Sequence, residues 1–317
     1  MREEQSIENI LGHFRRSASQ KNKPFTCDAE IIDIGGKLFA VTMDEFSPDE
    51  DMFGDIAPHI LGRNLAIAAI SDLFACGAMP RFFMHSIVAV EKMDPSFFKG
   101  ISEVLEECGC FLIGGDTGGG DSFRYTAAVI GTVDGDKYLS RQLPRSEQSL
   151  WITGKLGDAN LAAFNSSAMP PFELRLEEAA YIRNNATGCI DTSGGLIDAM
   201  WMLQKVNPKM RFEIDADKLP FDESVRQFCL AAELPQIAFA FGGAGEYELL
   251  FTTPPQTATP VNAACIGRTS ICGEGGIYIK FNGKLKRIEE PPVCGRDITD
   301  KNIYISSILR QVNAIIR

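Results

Sequence analysis

Between Asp55 and Cys76 the chain carries apolar residues at helical spacing: Ile56, Ile60, Leu61, Leu65, Ala68, Ala69 and Leu73. This pattern predicts a helix, which Gly77-Ala78-Met79-Pro80 would end. One acid, Asp72, sits inside the apolar face. A buried carboxylate without a donor or cation is costly, so the fold must bring Asp72 a partner. That requirement constrains the chain more than any other single feature, and it makes Asp72 the first functional candidate.

The segments on either side alternate between strands and helices. Lys37–Met43 reads as a strand after the Gly35-Gly36 turn, Arg81–Val90 as a strand and Pro95–Cys108 as a helix. Phe111–Ile113 reads as a short strand entering a glycine-rich turn, and Tyr125–Val133 as another strand. Polar residues 135–150, punctuated by Pro144, predict a boundary. Strands are then expected at Leu150–Thr153, Gly188–Asp191, Arg211–Ile214, Glu248–Thr253, Ala264–Gly267 and Gly276–Phe281. Helices are expected at Asp158–Phe164, Glu173–Asn184, Leu196–Val206 and Asp222–Ala232. A length of 317 residues fits two α+β domains, expected over 1–145 and 146–317.

Charge narrows the function classes. With 42 Asp+Glu against 31 Lys+Arg, the net charge of −11 argues against a non-specific nucleic-acid binder, which needs a basic surface. It leaves room for a phosphate-bearing ligand reached through a divalent metal. The nine cysteines include no C-x-x-C pair, as expected of reduced thiols in a cytoplasmic protein. No run approaches the roughly 18 apolar residues of a membrane span, and the N-terminal MREEQSIENILGHF lacks a continuous apolar signal region.

Asp72 has company. Asp28 lies just before the first strand, Asp44 ends Val41-Thr42-Met43, and Asp116 with Thr117 lies in the run Gly114–Gly120. Asp191 and Ser193 precede a helix in Ile190–Leu196. Taken singly, Asp28, Asp44 and Asp116 could be turn formers, and Asp191 and Ser193 helix caps. Together the acids point to a Mg²⁺ cage, because Mg²⁺ takes a few carboxylates, waters and substrate phosphates. The glycines offer backbone N–H groups to phosphate oxygens. No Walker A pattern occurs, so nucleotide chemistry here would run through metal-bridged acids.

These motifs, in this order, resemble the aminoimidazole-ribotide-synthetase-like superfamily of ATP-dependent enzymes, and within it the thiamine-monophosphate kinase family. The similar stretches are Cys27–Ala29, Asp44-Glu45, Ser71-Asp72-Leu73, Gly114–Thr117, Asp191–Leu196 and Gly242–Leu249, with Leu219-Pro220-Phe221 and the Arg141 segment. The chain departs from the family at several positions. Cys27 stands for the first acid of a pair, Gly194 for a second Asp, and Asn64 for a Lys of many relatives. Asp51-Met52 falls where the family has His-Phe, and Gly242–Leu249 is one residue longer, with Glu246 in the place of the acid before Tyr247.

The resemblance implies an α+β, two-domain fold. Its N-terminal domain would form a dimeric β-barrel flanked by helices, and its C-terminal domain would be α/β. It also implies a homodimer using ATP and Mg²⁺ on a small phosphorylated metabolite, most closely thiamine monophosphate, with no nucleic-acid or membrane partner. Asp28, Asp44, Asp72, Asp116 and Asp191 would hold metal, with Asp72, Asp116 and Asp191 central to catalysis. Gly114, Gly115, Thr117, Arg141 and Ser193 would hold the nucleotide, and Asp51, Glu246 and Tyr247 would face the substrate. Two alternatives stay open: a relative that activates another small substrate by phosphorylation, and a nucleotide-binding relative without turnover.

Overall fold

The structure, a computed structural model, describes residues 3–48, 55–291 and 300–316. Its centre is the helix α2 (Pro58–Ala75), which follows the short N-terminal helix α1 (Glu3–Leu11) and strands β1 (Glu30–Ile34) and β2 (Lys37–Phe46). Pro58 opens α2 at a position where its missing N–H costs nothing. From Leu65 to Ala75 every residue of α2 except Asp72 is buried. A helix apolar all round must be covered on all sides. Here β2, β3 (Met79–Ala89) and β5 (Arg124–Thr132) pack on it from one sheet, and β7 (Gly188–Asp191) and β9 (Leu249–Thr253) from the other.

The first sheet has five strands in the order β1-β2-β5-β3-β4, with β4 spanning Phe111–Gly119. Gly35 and Gly36, both at positive φ, make the β1–β2 hairpin turn. Helix α3 (Pro95–Cys108) crosses from β3 to the parallel neighbour β4, and Asp94 caps it by accepting from Ser96 N–H. The expected turn after Ile113 is instead a continuation of the strand: Gly114 through Gly119 pair with Met84 through Ala89. Glycine is needed at 115, where a Cβ would lie 2.6 Å from the His85 ring and carbonyl oxygen. Within one chain this sheet is open, with β1 and β4 as its edges, and does not close into a barrel.

The second sheet has seven strands in the order β12-β11-β8-β10-β6-β9-β7. The strands not yet placed are β6 (Gln148–Thr153), β8 (Met210–Asp215), β10 (Ala263–Ile271), β11 (Gly276–Phe281) and β12 (Lys284–Arg287). Its helices are α4 (Asp158–Asn165), α5 (Leu176–Asn185), α6 (Leu196–Val206), α7 (Glu223–Ala232) and α8 (Lys301–Ile316). The buried side chains form two large clusters. One is gathered around α2, and the other lies among α6, α7, α8 and the second sheet. Asn64 of α2 ties the segment before α5 to the N-terminal half, donating to Pro170 O at 2.8 Å and accepting from Phe172 N–H at 2.9 Å. Among the described residues no helix is long and apolar enough to cross a membrane, and their eight cysteines are free.

α2 and α3 approach closely because each offers a glycine. A Cβ on Gly62 would fall 2.0 Å from Phe97 O, and one on Gly100 would fall 2.1 Å from His59 O. The obstructing atoms are backbone, so the helices would have to separate. Gly100→Ala is expected to lower stability by about 1–3 kcal/mol. The check is a fall in urea midpoint at unchanged m-value.

Candidate active site

Three parts of the chain converge on one point. Asp28 sits in the loop before β1, Asp72 in the last turns of α2, and Asp191 at the end of β7. A carboxylate oxygen from each lies within 4.8 Å of the others. The group faces a cavity of about 410 Å³, which Asp44, Arg141 and Ser193 also line. The structure thus brings together four of the five acids expected to bind metal, with two of the residues expected to hold nucleotide.

The electrostatics are those of crowded, desolvated acids. Burial pushes the Asp72 carboxyl well above the usual range, and the charges of Asp44, Asp191 and Asp28 push it further. The Asp191 carboxyl is raised to about 6, first by burial and then by Asp28. Arg141 opposes this. Its Nη2 and Nε donate to the two oxygens of Asp28 at 2.8 and 3.3 Å, so the pair is bidentate. The Asp28 side chain is only 1% exposed, so Arg141 belongs to a buried pair and not to a surface one. Three carboxylates and one guanidinium leave an excess of hard oxygen donors, a set that suits a small divalent cation such as Mg²⁺. Asp28, Asp72 and Asp191 could hold it.

Two hydroxyls aim the acids. Thr42 donates to Asp72 Oδ2 at 2.5 Å, and Ser71 donates to Asp191 Oδ2 at 2.6 Å. Sequence reasoning gave neither residue a role of its own. The signal for Thr42 was its position two residues before Asp44 on one strand, which puts both on one face. Ser71 was visible only as the neighbour of Asp72, and its target lies 120 positions away. Neither Asp191 nor Ser193 is the N-cap of α6. Gly195 is, at φ 82°, where a Cβ would strike Gly242 O at 2.4 Å.

Other expected site residues lie elsewhere in the chain. Gly114, Gly115, Asp116 and Thr117 are exposed on β4, at the opposite edge of the first sheet from β1. None of them lines the cavity. Glu246 is buried in the C-terminal half, accepting from Gly157 N–H and, at 3.3 Å, from Asn160 Nδ2; burial and then Asp158 push its carboxyl well up. Tyr247, at φ 53°, packs on Phe172 with ring centroids 4.9 Å apart. Neither lines the cavity. Asp51 lies outside the described residues.

Residues 27–133 match the family described as AIR synthase related protein, N-terminal domain. The matched segment contains Asp28, Asp44, Asp72 and the whole first sheet, β1 through β5. Over its whole length the chain is similar to a thiamine-monophosphate kinase of Pyrococcus horikoshii, 28% identical over 96% of this chain and 99% of that one. Among solved structures, AaThiL complexed with AMPPCP and TMP superposes with a TM-score of 0.73 at 22% identity, covering 88% of this chain and 92% of that one. The hydrogenase maturation protein HypE in complex with ATP gives 0.64 at 18% identity, over 92% and 97%. The two sheets and the helices packed on them therefore form a fold shared with both.

The crowding of acids sets a pH dependence. Asp191 has a folded pKa of about 6 against an ordinary value of 3.8. A raised acid costs nothing when both states are protonated, and it destabilises the folded state as pH climbs from the unfolded to the folded value. The metal-free protein should therefore lose stability between about pH 4 and pH 6. Asp191→Asn should raise the melting temperature at pH 7, with the gain disappearing near pH 4. Thermal melts in chelator across that range are the check.

Proposed function

We propose that the chain is an ATP- and Mg²⁺-dependent kinase that phosphorylates thiamine monophosphate to the diphosphate. The observation that carries this reading is the convergence of Asp28, Asp72 and Asp191 within 4.8 Å on a cavity, in a chain similar from end to end to a thiamine-monophosphate kinase. Mg²⁺ would supply neutralisation of charge on the transferring phosphate oxygens. The chain's own residues do the rest. Asp28, Asp72 and Asp191 supply the oxygen donors, with Asp44 beside them. Thr42 and Ser71 fix the direction of two of those carboxylates. Arg141, buried against Asp28, presents a fixed positive charge toward the cavity for nucleotide phosphate, and Ser193 adds a hydroxyl at its wall. An acceptor phosphate is already anionic at neutral pH, so the transfer needs alignment and no general base.

A second copy of the chain completes this reading. Strand β4 is an edge strand whose nine residues are all exposed, with Phe111, Leu112 and Ile113 at 69%, 53% and 54%. Long apolar edges of this kind are hazards unless covered. A homodimer joined at β4 closes the open sheet toward a barrel and delivers Gly114, Gly115, Asp116 and Thr117 to a nucleotide held near the interface. The two domains of each chain divide near residue 145, and the reaction belongs to the cytoplasm. Asp51, Glu246 and Tyr247 would contribute on the acceptor side through the segments that carry them. The inward turn of Glu246 favours a second reading in which the acceptor is a different small phosphorylated molecule.

The assay is purified protein with ATP, Mg²⁺ and thiamine monophosphate, followed for diphosphate product. Product supports the kinase. ADP formed only with another acceptor supports the second reading, and nucleotide binding without turnover overturns both. Asp72→Asn should lower kcat about a thousand-fold, the scale of several kcal/mol of charge stabilisation. Ser71→Ala, which only frees Asp191 to rotate, should weaken apparent Mg²⁺ affinity about 10–100-fold. Leu112→Glu on β4 should shift the protein to monomer by light scattering and lower turnover with it.

A further inference from the structure

A pair of cysteines outside the acid cluster of Asp28, Asp72 and Asp191 has chemistry of its own. Cys108 is the last residue of α3, Cys110 leads into β4, and Gly109 between them is left-handed at φ 65° and ψ 34°. That turn hangs both cysteines on one carbonyl. Leu105 O accepts the Cys110 backbone N–H at 2.8 Å and the Cys108 thiol at 3.6 Å. One residue separates the two side chains, and both start from the same turn. Access differs: Cys108 is half-buried, while Cys110 is 5% exposed.

We propose that Cys108 and Cys110 form an oxidisable dithiol, a modification site at which a peroxide closes the two thiols into a disulfide. Cys108 is the attacking sulfur and Cys110 the resolving one. The Cys108 sulfur attacks a peroxide oxygen: an S–O bond forms, the O–O bond breaks, and the leaving hydroxide takes the thiol proton as water. The Cys110 sulfur then attacks the sulfenic sulfur. An S–S bond forms, the S–OH bond breaks, and hydroxide leaves with the Cys110 proton as a second water. The two thiols together lose two electrons and the peroxide gains them.

The surroundings favour this assignment of roles. The neighbouring Cys110 thiol lowers the pKa of Cys108, against the burial that raises it, while the Cys108 sulfur and then burial raise that of Cys110. An accessible sulfur with more thiolate attacks first. The other shifted thiols go the opposite way: Cys76 is raised by its hydrogen bond with Cys27 and by burial, and Cys189 and Cys229 by burial. Gly109 is left-handed as the C-cap of α3, and a Cβ at 109 would meet nothing within 4 Å. The left-handed backbone, not lack of space, selects glycine there.

The pair can be tested without reference to kinase activity. Tryptic cleavage after Lys99 and Arg124 isolates Gly100–Arg124, which holds Cys108 and Cys110 and no other cysteine. After brief exposure of the folded protein to dilute hydrogen peroxide, this peptide should be two hydrogens lighter, and dithiothreitol should restore it. It should be oxidised at least about ten-fold faster than the peptides carrying Cys76 or Cys189, each the sole and buried cysteine of its tryptic peptide. In Cys110→Ser, Cys108 should accumulate sulfenic acid that dimedone traps; in Cys108→Ser, Cys110 should stay reduced. The proposal is overturned if the wild-type peptide oxidises no faster than the buried controls. It is equally overturned if Cys108 proceeds to sulfinic acid while Cys110 remains a free thiol.

Discussion

Repulsion among buried carboxylates is the constraint on which the rest of this structure depends. Asp28, Asp72 and Asp191 are held within 4.8 Å by segments far apart in sequence, where burial weakens the screening that water gives. Left alone, such a group would open or take up protons, and the raised pKa values of Asp72 and Asp191 record the second response. The surrounding fold acts against the first. Arg141 is tied to Asp28 on both oxygens, and its backbone N–H donates to Thr26 O at 2.8 Å, anchoring the segment that carries it. Thr42 and Ser71 hold the other two acids from β2 and α2.

The apolar helix α2 makes that arrangement possible. It is covered by strands of both sheets, so Asp72 is delivered to the boundary between them, where β7 ends in Asp191. The C-terminal half is locked behind it by a second polar network. Glu248 accepts from Arg175 and from Thr153 Oγ1, and its backbone N–H donates to Thr192 Oγ1 at 2.9 Å. Thr192 adjoins Asp191, so this network also fixes the β7 end of the acid cluster. Burial raises the Glu248 carboxyl while Arg175 draws it down, and a fully partnered group of this kind rigidifies what it touches.

Much of this was legible in the sequence, and for specific reasons. The need of Asp72 for a partner followed from one acid among apolar neighbours, and the helices α2 and α3 and the Gly35-Gly36 turn followed from periodicity and turn residues. Asp28, Asp44 and Asp191 were legible as acids at element ends. What the sequence concealed depends on pairing. Gly114–Gly119 has the composition of a turn, and only its parallel ladder with β3 makes it a strand. The hydroxyl of Ser71 looks like part of a local motif, but it serves an acid on the other sheet. Glu246 occupies a motif position, yet the direction of its side chain depends on Gly157 and Asn160, which no local pattern encodes.

The three acids are crowded together, at the cost of raised pKa values, to receive a divalent cation, and proton release tests this most directly. A cation entering the cluster must displace whatever protons the raised carboxyls hold. Calorimetric titration of Mg²⁺ into the protein with a non-hydrolysable ATP analogue, at pH 6 in buffers of different ionisation enthalpy, counts those protons. The account predicts net release in the wild type, reduced when Asp72 is replaced by Asn. Mg²⁺ binding with no proton release, or with the same release in both proteins, would contradict it.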